Sequence, residues 1–187
     1  MPQLIDTGSR AGTLAAAVNE LLVTEGIPGL TLRKIAAVSR VSTGSIIHHL
    51  GDKNRLLSLS AGLTARALQQ DIERRRWFEG VLAFLPTDDD GVLITRAWLA
   101  WLELGRSDDI VEPPVSRAVE SQRGLLAATL DHRLARDDLD LVVAVIDGLR
   151  GAICQPTRPM GPGRACELLT RHLGLLGISL TPDEAGT

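Results

Sequence analysis

Apolar positions recur at helical spacing along most of this chain. Leu14, Ala17, Val18, Leu21 and Leu22 repeat every three or four residues, and Gly26 supplies a stop. Residues 1–9, ahead of this run, read as a flexible arm. Pro28 and Gly29 make a turn, and Thr31 then precedes Leu32, Ile35 and Ala36 as the N-cap of a short amphipathic helix. Ser42 caps a second short helix that reaches about His49. Gly51 and Asp52 break and recap the chain before a long helix from Lys53 to about Glu79. Pro86 and the run Asp88, Asp89, Asp90 form a loop. Ile94, Ala97, Trp98, Trp101 and Leu102 then make a stripe that ends near Gly105. Pro113 and Pro114 open a helix carrying Val115, Val119, Leu126 and Leu130. Asp137 and Asp138 begin another, with Val142, Val145, Ile146, Leu149 and Ile153. After a loop rich in Pro and Gly, Ala165, Leu168, Leu169, Leu173 and Leu176 mark the last helix, and the tail from Ser179 should fray. No stretch alternates as a strand does, so the pattern predicts an all-α fold of about nine helices.

Composition agrees with that pattern. Aromatic residues make up only 3% of the chain and Tyr is absent, while Leu, Ala and Arg dominate, which favours helix over strand. The net charge of −3 is unevenly spread: residues 1–57 hold six basic side chains (Arg10, Arg33, Lys34, Arg40, Lys53, Arg55) against four acidic ones. A mildly basic head on an acidic body suits a protein that meets phosphates with one end only. Two cysteines, Cys154 and Cys166, imply no disulfide framework and are expected to be packing residues. No basic segment followed by an apolar run reads as a signal peptide, and no apolar run approaches the roughly 20 residues of a membrane span. A cytoplasmic protein without membrane attachment is expected.

Residues 32–50 combine two short, separately capped helices across a tight turn, the helix-turn-helix arrangement in which the second helix enters the major groove of DNA. Ile35 and Ala36 point inward, Val41 plugs the corner, and Ile46 and Leu50 lie on the buried face of the second helix. That leaves Thr43, Gly44, Ser45, Ile47, His48 and His49 outward. Thr and Ser can bond base edges or phosphates, Gly allows close backbone approach, and His can donate to phosphate. Lys53, opening the next helix, adds charge beside free N–H groups.

The run from Leu32 through Ala36, and from Val41 through Lys53, resembles the DNA-binding domain of the TetR family of regulators. The preceding helix, with Arg10, Leu14, Ala17 and Leu22, is similar to that family's first helix. The resemblance is good over residues 10–57; beyond them the chain matches only in the number and length of its helices. It implies a DNA-binding head over residues 1–52 and a ligand-binding and dimerisation body over 53–187. It also implies DNA contacts from Arg10, Thr31, Arg40, Ser42, Thr43, Gly44, Ser45, Ile47, His48, His49 and Lys53. Three positions depart from the family's pattern. Ile47 stands where the family usually has a phosphate-contacting Tyr, Leu50 where Phe is usual, and Arg40 where Gly is common.

The body offers two further candidate sites. Trp77, Phe78, Phe84, Trp98 and Trp101 are all the aromatic residues and lie mid-chain, where the resemblance implies an effector pocket; an apolar or aromatic compound is expected, though core filling is the plainer role for each. Val142, Val145, Ile146, Leu149, Ile153, Leu169, Leu173 and Leu176 form multiple apolar stripes on the last two helices, which suggests a four-helix interface between two copies. No metal or cofactor site is read: His48 and His49 are adjacent and point about 100° apart on a helix. No nucleophile–base pairing or phosphate loop appears, so no enzyme is expected. The expected function is a repressor released from a palindromic operator by a small molecule; the alternative is a dimeric helical ligand-binding or interaction module with a degenerate head.

Overall fold

A computed structural model describes residues 9–131 and 134–178. The expected arm, save for Ser9, and the tail from Ser179 lie outside the described residues. The described residues form eight α-helices and two short 3₁₀ segments, Ile27–Gly29 and Gly80–Phe84, against the nine or so helices that the pattern predicts. The α-helices are α1 (Arg10–Glu25), α2 (Leu32–Ser39), α3 (Thr43–Leu50), α4 (Lys53–Glu79), α5 (Asp89–Gly105), α6 (Glu112–Thr129), α7 (Arg136–Ile153) and α8 (Pro162–Leu175). None is long and apolar enough to cross a membrane.

Two compact units emerge, one of Met1–Asp71 with Asp89–Gln122, the other of Ile72–Asp88 with Arg123–Thr187. In the first, α1 packs on α2 and on α5. Its core holds Leu14, Val18, Leu21 and Leu22 of α1, Ile35, Ile46, and Ile94, Trp98 and Trp101 of α5, all buried. Polar side chains are buried here too, Asn19 and Thr64 among them. Asn19 Oδ1 accepts from the Trp101 indole N–H (2.8 Å) and from the Thr64 hydroxyl (2.9 Å), so a single amide oxygen joins α1, α4 and α5. Buried polar groups persist where they are satisfied in this way.

In the second unit α7 packs on α8. Two arginines supply donors to one stretch of backbone. Arg75 Nη2 donates to the carbonyls of Ala83 (2.7 Å) and Leu85 (3.2 Å), and Arg150 Nε donates to that of Phe84 (2.8 Å). Burial lowers the Arg150 pKa, a shift that Asp147 opposes and Arg75 adds to. Cys154 is buried and Cys166 half-buried; burial, with Glu79 nearby, raises the Cys166 thiol pKa.

The eight residues expected at a dimer face divide by burial. Val142, Ile146, Leu149, Ile153, Leu169 and Leu173 are buried within the chain's own core, and Val145 and Leu176 are half-buried. Their stripes pack α7 and α8 into their own subunit. Periodicity identifies a buried face but does not say which chain buries it.

Candidate nucleic-acid interface

The head is built by local capping. Thr31 Oγ1 accepts from the Lys34 N–H (3.3 Å) at the start of α2, and Ser42 Oγ accepts from the Ser45 N–H (3.1 Å) at the start of α3. Between them the Val41 N–H donates to Ser39 Oγ (3.3 Å), which closes the turn. Helix α3 ends on Gly51, at φ 86°, whose N–H returns to the Ile47 carbonyl (2.8 Å); a side chain would be strained in that conformation. Asp52 Oδ1 then accepts from the Arg55 N–H (2.7 Å) and caps α4. Lys34 pairs with Glu25 and ties α2 to α1.

Arg40 adopts the left-handed conformation, φ 57° and ψ 26°. A Cβ is disfavoured there by about 1–2 kcal/mol. Arg40→Gly is therefore expected to raise stability by about 0.5–1 kcal/mol, the remainder being offset by the freer unfolded chain. Urea denaturation checks this; an unchanged or lower midpoint would mean that the Arg40 side chain supplies folding energy of its own.

The structure turns Ile35 and Ile46 into the core and leaves Val41 and Leu50 half-buried. Thr43, Gly44, Ile47, His48 and His49 are exposed on α3, as are Thr31, Arg40 and Ser42; Ser45 and Lys53 are half-buried. All outward positions of α3 thus share one short helix that carries no acidic residue. The rings of His48 and His49 meet edge to face with centroids 5.1 Å apart. A Cβ built on Gly44 would meet nothing within 4 Å, so packing inside the protein does not demand a glycine there.

Arg10, at the first turn of α1, reaches this helix. Its Nη1 donates to Ser45 Oγ (3.5 Å) and bonds His49 Nε2. Sequence reasoning placed Arg10, Ser45 and His49 on the same interface without seeing this pairing, because a contact between residues so far apart in the chain has no local signature.

The aromatic residues differ in burial. Trp98 and Trp101 are buried in the core of the first unit, at 1% and 0% exposure, and Phe84 is buried in the second. Trp77 and Phe78 face solvent at 77% and 93% exposure, with the Arg76 guanidinium 4.7 Å from the Trp77 ring centroid. Among the described residues no three His, Cys, Asp or Glu side chains converge as a metal site.

A capped helix-turn-helix with an uncovered second helix, followed by an all-helical body, defines the class of helix-turn-helix transcriptional regulators. No family model matches the chain. The HTH-type transcriptional regulator BetI of Burkholderia mallei is 30% identical over 173 residues, which cover 82% of this chain and 87% of BetI. The crystal structure of a putative TetR-family transcriptional regulator from Rhodococcus sp. superposes with a TM-score of 0.73 at 17% identity, covering 92% of this chain and 98% of that one. A putative transcriptional regulator from Saccharomonospora viridis, solved in complex with choline, superposes at 0.72 with 14% identity, over 88% of this chain and 95% of that one. The chain belongs to the TetR family of helix-turn-helix transcriptional regulators.

Proposed function

We propose that the chain is a homodimeric, cytoplasmic repressor that leaves a palindromic operator when a small molecule binds its helical body. Residues 1–52 form the DNA-binding part, and 53–187 the ligand-binding and dimerisation part. The observation that carries this reading is the outward surface of α3, where Thr43, Gly44, Ile47 and His48 are exposed on a helix without acidic side chains. Thr43 and Ser45 approach base edges or phosphates, Gly44 lets the backbone come close, and Thr31, Arg40, Ser42, His48 and Lys53 contact phosphates. Arg10 holds Ser45 and His49 in place. Two such helices meet successive major grooves about 34–36 Å apart, or a multiple of that.

With the inner stripes of α7 and α8 buried in their own subunit, a second copy pairs with the outer ones. Leu141, Ala144 and Gly148 share one stripe on the outer side of α7, and Leu175 is 80% exposed on α8. The choline held by the Saccharomonospora viridis structure supports a small organic effector in this fold. Coupling of about 1–3 kcal/mol between effector and DNA changes affinity by about five- to 150-fold, enough to release an operator.

The test is selection of purified protein on random double-stranded DNA, with the mass of the complex measured. A palindrome bound by two copies is expected, lost when Thr43, Ser45 and His48 are replaced by Ala. Failure to enrich any sequence at low salt, with folded protein, would favour a helical ligand-binding module whose head no longer reads DNA.

A further inference from the structure

Helix α3 contains three large apolar residues, and only Ile47 faces outward. Ile46 is 1% exposed and Leu50 half-buried, whereas Ile47 is 48% exposed on the surface that the proposed function turns towards DNA. Ile47 has neither donor nor acceptor in its side chain, so it reads no hydrogen-bond pattern and holds no phosphate. One turn before it on the same face lie Thr43, which bears a methyl group, and Gly44, which bears nothing. Because a Cβ on Gly44 would meet only open space, the approach to Ile47 from that side is uncovered. On the other side of the helix Arg10 engages Ser45 Oγ and His49 Nε2.

The major groove has one apolar feature at the base edges, the 5-methyl group of thymine. We propose that Ile47 is a specificity-determining residue that packs on a thymine methyl group in each half-site of the operator. This rests on the reading of α3 as the recognition helix. It adds what the hydrogen-bonding residues do not supply, a preference for T at one position set by removal of apolar surface from water. A methyl group buried in this way is worth about fourfold in affinity, and two half-sites give about fifteenfold.

Selection from two random double-stranded libraries, one with thymine and one with uracil in its place, tests the proposal with the full chain. Uracil keeps every hydrogen-bonding group and lacks only the methyl. From the thymine library the protein is expected to enrich a palindrome with T at one fixed position per half-site. The uracil version of that palindrome should bind about fifteenfold more weakly. Ile47→Ser should bind the two versions within about twofold of each other, since it removes the apolar contact. Thr43→Ser, which deletes only the Thr43 methyl, should keep the discrimination. Equal binding of both versions by the natural protein would overturn the proposal, as would discrimination that survives Ile47→Ser. No enrichment from either library would instead overturn the reading of α3 on which it rests.

Discussion

Trp101→Ala is expected to cost the folded chain about 3–5 kcal/mol. The indole is fully buried, so truncation leaves a cavity that neighbouring helices can only partly close. It also removes a donor from Asn19 Oδ1, which then keeps only the Thr64 hydroxyl. Trp101→Phe separates the two effects. It retains most of the ring and deletes the N–H, so the expected loss is about 1–2 kcal/mol. Asn19→Leu is the harsher test of the polar joint, because it takes from the buried indole N–H the oxygen that accepts it. A double-mutant cycle between Asn19→Leu and Trp101→Phe, read by urea denaturation, should give a coupling of about 1–2 kcal/mol. Strict additivity would mean that the amide is held by packing alone. The joint bears on DNA binding through the geometry of α1, since the helix that carries Asn19 also carries Arg10, which holds Ser45 and His49 of α3. Loosening Asn19 is therefore expected to weaken operator binding before the chain unfolds.

Local signals made the head legible. Thr31 and Ser42 cap their helices where a hydroxyl three residues ahead of a free N–H predicts it, and α4 starts at Lys53 just after the break and recap at Gly51 and Asp52. Arg40 in the left-handed turn follows from a tight corner between helices that close together. Tertiary pairings were not legible. Asn19 lies among Val18, Leu21 and Leu22, and a polar residue on an apolar stripe is compatible with a buried partner, but nothing local pointed to Trp101. Trp77 and Phe78 show the converse failure: large aromatics are usually buried, and their exposure depends on what packs against the end of α4. The stripes of α7 and α8 carry a similar ambiguity, because burial by one's own subunit and burial by a partner leave the same periodicity.

Arg150→Ala is expected to cost about 2–4 kcal/mol, although Arg150 is a buried cation and its removal relieves desolvation. The balance turns on its partners. Arg150 is 3% exposed, and its Nε bonds the Phe84 carbonyl at 2.8 Å while Nη1 lies 3.4 Å from Asp147 Oδ1. Asp147 is half-exposed, so water takes over its solvation when the cation is gone. The Phe84 carbonyl has no such recourse, since Phe84 lies in the core, and losing the donor there carries most of the penalty together with the cavity left by the side chain. Arg150→Met distinguishes these contributions, because it keeps the volume of the aliphatic stem and discards the charge. It should cost about 1–2 kcal/mol, less than the alanine variant by the cavity energy. Arg150→Lys retains charge but presents a single ammonium where Nε and Nη1 diverge towards a carbonyl and a carboxylate, so it should fare no better than Met. An alanine variant as stable as the natural chain would show that relief of desolvation outweighs both lost contacts. That result would reduce Arg150 to a tolerated buried charge.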